Sequence, residues 1–197
     1  MIHIFFLAAG NSTRFGSNKL LTEFRGKPLF LHGMTVLQSV AEENADCSLH
    51  IVSRYAPILD RAAAWDIHAI DSPQSERGIS YSIRAGLESL RGVDAADYFL
   101  FVLADQPLLT KEGIQRMLQA ARSGCTAATS CYERVPGSPT LFSAKLREQL
   151  LELEGDQGGR SVLKTCDDVV WVEMPCAAEL FDVDRPEDLQ KANVSRF

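Results

Sequence analysis

No Cys-x-x-Cys pair occurs in this chain. Its five cysteines (Cys47, Cys125, Cys131, Cys166 and Cys176) are an odd number without metal-ligand spacing. Reduced thiols are therefore expected, rather than a zinc site or a disulfide framework. Positive charge is also short: 20 Lys and Arg against 26 Asp and Glu give a formal net charge of -6. That balance gives no electrostatic basis for a nucleic-acid or anionic-membrane partner, although a local positive pocket can still hold a small anion. Long apolar runs are missing as well. The opening MIHIFFL lacks a basic flank and is too short to span a bilayer, so neither an export signal nor a membrane anchor is expected, and a cytoplasmic protein is. Neither G-x-x-x-x-G-K-[ST] nor G-x-G-x-x-G is present, which excludes an ordinary P-loop and a dinucleotide fingerprint.

What is there is ordinary globular material: 197 residues, 46% hydrophobic and 23% charged, enough for one domain over residues 1–197 with a core of its own. Ile2 to Leu7, Leu49 to Ser53, Ile67 to Ile70, Tyr98 to Leu103 and Val169 to Val172 read as strands. The stretch from Pro28 to about Asn44, Pro57 to Trp65, and Ile79 to Leu90 read as helices. Ile114, Met117, Leu118 and Ala121 recur at helical spacing behind Thr110, a candidate N-cap. Strands alternating with helices predict an α/β fold, a three-layer Rossmann-like sandwich around a mostly parallel sheet. From Cys125 to Ser143 two short strand-like pieces are expected to flank a turn at Gly137-Ser138-Pro139, with Ala144 to Glu154 helical again.

LAAGNSTRFGSNK follows the first strand. Ligands of open parallel sheets bind beyond the carboxyl ends of the strands, so this loop stands at the expected ligand edge. Small residues at Ala8, Ala9 and Gly10 let the backbone approach a ligand closely. Arg14 and Lys19 would offset the charge of a polyphosphate. The competing explanation is a plain surface turn from strand to helix. Asp105, two residues beyond the FLFVL run, belongs at the same edge and would be costly to bury unpaired. It suits a magnesium ligand, and it suits a helix-preceding turn too. Near the end, Asp182 and Asp184 alternate with Phe181 and Val183, so an extended segment presents both acids on one face. They could complete a clamp for a hard cation. Asp184-Arg185-Pro186-Glu187 equally resembles a helix start. Ser80 and Ser82, at the start of the third helix, are candidates for nucleotide contact or for simple capping.

Together these segments resemble the MobA-like nucleotidyltransferases, most closely the molybdenum cofactor cytidylyltransferases. The resemblance rests on Leu7-Ala8-Ala9-Gly10 with Arg14-Phe15-Gly16 and Lys19, Gly78 to Leu87, and Asp105-Gln106-Pro107. Gly137 to Phe142, Gly155 to Arg160 and Asp182 to Leu189 extend it to nearly the whole chain. It implies a nucleotide-diphospho-sugar transferase type of fold with an acceptor-side insertion at about 125–165. The implied reaction is magnesium-dependent transfer of CMP from CTP to the terminal phosphate of molybdopterin, releasing pyrophosphate. It implies a nucleotide held by Leu7, Ala8, Ala9, Gly10, Arg14, Lys19, Ser80 and Ser82, and catalysis by Arg14, Lys19 and Asp105. Asp105, Asp184 and Asp182 are the implied Mg2+ ligands, and Ser138, Asp156 and Arg160 the acceptor contacts. A molybdenum hydroxylase is the implied client. Serine at 138 departs from the Asn or His usual in the family, which leaves the acceptor open, with transfer to a sugar or alcohol phosphate as the alternative; a separate alternative is a non-catalytic chaperone that delivers the cofactor. His3, His32, His50 and His68 fall outside every motif and are expected to be structural, because a phosphomonoester nucleophile is already ionised near neutral pH.

Overall fold

The computed structural model describes residues 1–194. In chain order the strands are β1 (Ile2–Leu7), β2 (Glu23–Phe24), β3 (Lys27–Pro28), β4 (Cys47–Ser53), β5 (His68–Asp71), β6 (Tyr98–Leu103), β7 (Ala127–Tyr132), β8 (Val135–Ser143) and β9 (Val169–Glu173). The α-helices are α1 (Leu29–Glu43), α2 (Ala56–Ala64), α3 (Ile79–Ser89), α4 (Lys111–Arg122), α5 (Arg147–Leu151), α6 (Arg160–Leu163) and α7 (Pro186–Val194). Seven strands form one sheet in the order β5-β4-β1-β6-β8-β7-β9, and β2 and β3 make a separate small hairpin. Only β8 runs against the rest: it pairs antiparallel with β6 and β7, whereas the other pairings in that sheet are parallel.

Burial follows the alternation of the strands. In β1, Ile2, Ile4 and Phe6 join the core under α1, α2 and α4, while Phe5 and Leu7 join the core under α3 and α5. In β6, Leu100 and Val102 go to the first face and Phe99 and Phe101 to the second. A strand covered on both faces needs apolar residues at consecutive positions, which is why IFFL and FLFV carry no polar break. Each such side chain is worth about 1.5–3 kcal/mol when fully buried, and Phe5, Phe6 and Phe99 are 0% exposed. Thr110 caps α4 as expected, its side chain accepting from the Gly113 N–H.

The predicted turn at Gly137-Ser138-Pro139 is corrected: these residues lie inside β8. The reversal comes earlier, at Glu133 and Arg134, which take the left-handed φ values of 48° and 64° that a tight two-residue hairpin turn requires. Glycine at 137 answers a packing need, since a Cβ there would lie 2.7 Å from the Leu180 side chain. The expected helix from 144 to 154 is shorter, a 3-10 turn over Ala144–Leu146 followed by α5. Within residues 125–165, β7 and β8 are strands of the main sheet. Among the described residues no helix is long and apolar enough to cross a membrane.

Candidate active site

The loop leaving β1 keeps strand-like contacts for one further residue. The Ala8 N–H donates to the Val52 carbonyl at 2.8 Å, and the Ser53 hydroxyl donates to the Ala8 carbonyl at 2.8 Å. Neighbouring elements then pin the loop: Tyr55 Oη donates to the Gly10 carbonyl (2.8 Å), Arg54 to Asn11 Oδ1 (3.0 Å), and Asn11 Nδ2 to the Glu76 carbonyl (2.7 Å). Ser12 takes a left-handed φ of 51° and accepts from the Lys19 N–H. Asn18 caps the short 3-10 turn that carries Lys19. This bracing holds Lys19 with only 7% of its surface exposed.

Two distant carboxylates meet that lysine. Its Nζ lies 2.7 Å from Asp105 Oδ2 and 3.3 Å from Asp184 Oδ1, and Arg14 reaches Asp184 Oδ2 at 2.7 Å. Burial works against the Lys19 charge, but Asp105 and then Asp184 outweigh it and hold the ammonium pKa above its ordinary value. Asp105 stands just past β6. Asp184 is brought to it by two contacts that sequence reasoning missed. The Val183 N–H donates to the Asp105 carbonyl at 2.9 Å. Glu179, 0% exposed, accepts from the Thr110 N–H (3.1 Å) and hydroxyl (2.8 Å) at the start of α4, where a carboxylate is favoured by the helix dipole. The possible cap at Asp184 is resolved too. Asp188 reaches back to the N–H groups of Asp184 and Arg185, Pro186 opens the helix, and the Asp184 carboxylate faces the cations instead.

This cluster lines one cavity, and a second cavity adjoins the first. The first, of about 480 Å³, is lined by Leu7, Ala9, Gly10, Arg14, Lys19, Ser75, Ser82, Asp105 and Asp184. The other, of about 570 Å³, has an apolar floor of Leu7, Ile79, Ile83, Phe101 and Leu103 and a polar rim that includes Ser138, Thr140, Asp156, Arg160 and Asp182. Asp156, Ile79, Leu7 and Leu103 line both.

Two of the nucleotide candidates from the sequence do not line the first cavity. Ala8 is fully buried and committed to β4. Ser80, also 0% exposed, turns its hydroxyl to the Gly155 carbonyl. The reading of Ser80 as a direct nucleotide contact is corrected accordingly, because its one proton is already donated away from the cavity. Ser82 lines the cavity while donating to Ser75 Oγ at 2.8 Å. Asp182 keeps part of its surface open to solvent, yet the protein packed around its carboxyl, and then the negative charge of Asp105, push its pKa up to about 6.

The donor set fits a hard divalent cation in one respect: Asp105 Oδ1 is buried without a hydrogen-bond partner, and Asp184 supplies a second carboxylate beside it. Among the described residues no group of three or more His, Cys, Asp or Glu is gathered closely enough to hold a metal by itself. Magnesium, which keeps waters and shares substrate phosphates, needs only one or two carboxylates.

A family described as the MobA-like NTP transferase domain matches residues 4–169. The chain belongs to this family. Membership in the MobA-like NTP transferases makes the activity a nucleotidyl transfer of that general class. The chain is 28% identical over 194 residues to the purine catabolism protein PucB of Bacillus subtilis, a match covering 93% of this chain and 91% of PucB. Among solved structures, Rv0371c of Mycobacterium tuberculosis, solved as a complex with manganese, superposes with a TM-score of 0.76 at 21% identity, covering 97% of both chains. A 4-diphosphocytidyl-2C-methyl-D-erythritol synthase from Anaerococcus prevotii superposes with a TM-score of 0.72 at 16% identity, over 98% of this chain and 96% of that one. This MobA-like chain thus has the Rossmann-like nucleotidyltransferase fold from end to end of its described sheet.

Proposed function

We propose that the protein transfers CMP from CTP to a phosphomonoester acceptor and releases pyrophosphate. The observation that carries this reading is the convergence of Arg14 and Lys19, from the first loop, with Asp105 and Asp184, from two remote segments, on the wall of one cavity that a second cavity adjoins. The triphosphate fits the first cavity, against Ala9, Gly10 and the two cations. The acceptor fits the second.

An acceptor phosphate oxygen bonds to the α-phosphorus as the bond to the bridging oxygen breaks, and the electron pair leaves with pyrophosphate. Lys19 and Arg14 sit where the β,γ-phosphates must lie, so their charge offsets what develops on the leaving group. Lys19, almost enclosed, acts in a lower dielectric than the exposed Arg14 and has the stronger effect. No protein base is required, because the acceptor phosphate is already ionised. Asp105 and Asp184 would hold the divalent cation, magnesium in our reading, which supplies charge neutralisation at the non-bridging oxygens. By the family resemblance, Ala9 stands where guanylyl-transferring members usually carry Gly, and this supports cytidine as the base.

Two acceptors fit. The end-to-end likeness to the erythritol synthase favours an alcohol phosphate of the 2C-methyl-D-erythritol phosphate kind, and the comparisons lean this way. The apolar floor of the second cavity offers a bed for a flat ring, which favours a pterin such as molybdopterin. Magnesium with each nucleoside triphosphate, crossed with both acceptors, followed by pyrophosphate release and product mass, tests the proposal. CTP with one of the two acceptors is expected to give equimolar pyrophosphate and a cytidine-diphosphate-linked product. Absence of pyrophosphate in every combination would overturn it.

A further inference from the structure

Gly78 meets residue 155 so closely that a Cβ at 78 would lie 2.1 Å from the Gly155 carbonyl oxygen, a backbone atom that cannot step aside. Gly78 also has a φ of 134°, outside the range of ordinary side-chain-bearing residues. The same carbonyl accepts two hydrogen bonds from Ser80, at 3.1 Å from the N–H and 2.8 Å from Oγ, which occupy both of its lone pairs. One turn further along α3, Arg84 donates to the carbonyls of Leu151 and Leu153 at 3.2 and 3.0 Å. The first two turns of α3 therefore grip the chain from 151 to 155. Immediately beyond that grip stands Asp156, on the wall shared by the two cavities, and then Arg160, whose guanidinium donates to the Pro136 carbonyl at the foot of β8.

We infer that Ser80 is a positioning residue for the acceptor: by clasping the Gly155 carbonyl it fixes where Asp156 and the 157–160 loop stand at the second cavity. The inference rests on the proposed assignment of the two cavities to nucleotide and acceptor. Between Gly155 and Arg160 lie Gly158 and Gly159, so the segment has little conformational preference of its own. Its order must come from its anchors. Ser80 supplies the only buried hydroxyl at this anchor among the described contacts, and it touches no part of the first cavity.

The variants are Ser80→Ala, Ser80→Thr, which keeps the hydroxyl, and Arg84→Met, which releases the second grip. Three measurements are read on each. In the protein alone, amide exchange over 155–159 is expected to speed up about tenfold in Ser80→Ala, with α4 unchanged, and to return towards wild type in Ser80→Thr. Affinity for magnesium-CTP is expected to stay within twofold. With whichever acceptor the wild-type protein uses, molybdopterin or 2C-methyl-D-erythritol phosphate, KM for the acceptor should rise about tenfold while kcat stays within threefold. Arg84→Met should show the same split to a smaller degree, which covers the case in which the threonine variant is too crowded to fold. Unchanged exchange at 155–159, or a CTP affinity that falls as far as the acceptor KM rises, would overturn the inference. Should the wild-type protein use neither acceptor, the proposed function fails by itself, and the exchange data still decide whether the clasp exists.

Discussion

The central parallel strands end in charged and titratable groups at both edges of the sheet, and the two edges treat them in opposite ways. At the amino-terminal edge His3, His50 and His68, on three adjacent strands, join through Ser48 into a chain of contacts of 2.9 to 3.3 Å. Asp97 pairs there with the terminal ammonium at 2.8 Å and lies 3.6 Å from His3. Every member has a partner; the His50 ring stacks on Phe5, and the His3 ring lies tilted against Phe99. At the carboxyl-terminal edge Lys19, Arg14, Asp105 and Asp184 also pair, but they border an open cavity and leave Asp105 Oδ1 buried without a partner. A cluster of ionisable residues is thus no mark of a site by itself. A polar atom left unsatisfied beside a cavity is costly to fold, and that cost is the sign that a ligand completes the set.

The sharpest test of the contrast is Asp105→Asn, which keeps size and removes the charge. Pyrophosphate release is expected to fall by about a thousandfold or more, since loss of cation binding removes several kcal/mol of transition-state stabilisation and each 1.4 kcal/mol is tenfold. The thermal melt should stay cooperative. Retention of wild-type turnover would put Asp105 on the same footing as Asp97.

The two cations should differ. Lys19→Met is expected to cost about a hundredfold in kcat, and to destabilise the fold by about 1–3 kcal/mol because Asp105 then loses its counter-charge beside the carboxylate of Asp184, which keeps only Arg14. Arg14→Met, whose side chain is 66% exposed, should cost only about tenfold and leave stability within about 0.5 kcal/mol. Equal effects from both would remove burial as the source of Lys19's advantage. Steady-state rates and denaturant midpoints read the two quantities separately.

The sheet's parallel half was legible because its signal is local. Unbroken apolar runs mark β1 and β6, and Asp105 falls two residues past the end of one of them. The carboxyl-terminal acids were legible only as a motif. Their position beside Lys19 depends on Glu179 reaching Thr110 and on Val183 reaching Asp105, contacts between residues 69 and 78 apart that no window of sequence displays. The acceptor half was misread at Gly137 and Ser80 for the same reason. A glycine in Gly-Ser-Pro reads as a turn, and a serine at a helix start as a cap or ligand, whereas the decisive neighbours, Leu180 and Gly155, come from elsewhere in the chain.

The smallest effect on catalysis belongs to the opposite edge. His50 is 7% exposed, and burial, followed by the neighbouring His3 and His68, lowers its pKa from 6.5 to about 3. The folded protein therefore holds it neutral while the unfolded chain takes up a proton below pH 6.5. This contribution to stability is complete above that pH and is lost as pH falls towards 3. Between pH 7 and pH 5 the loss from this residue alone is about 2 kcal/mol, and His3, also lowered chiefly by burial, adds to it with the same sign. His50→Gln keeps a hydrogen-bonding side chain of similar length but cannot be protonated. It is expected to leave kcat within twofold and to flatten the fall in unfolding free energy over that pH interval by about 2 kcal/mol, as read by denaturant titrations at the two pH values. A large loss of activity with an unchanged pH slope would reverse the assignment of the two edges, because the histidine chain would then be tied to turnover and not to folding.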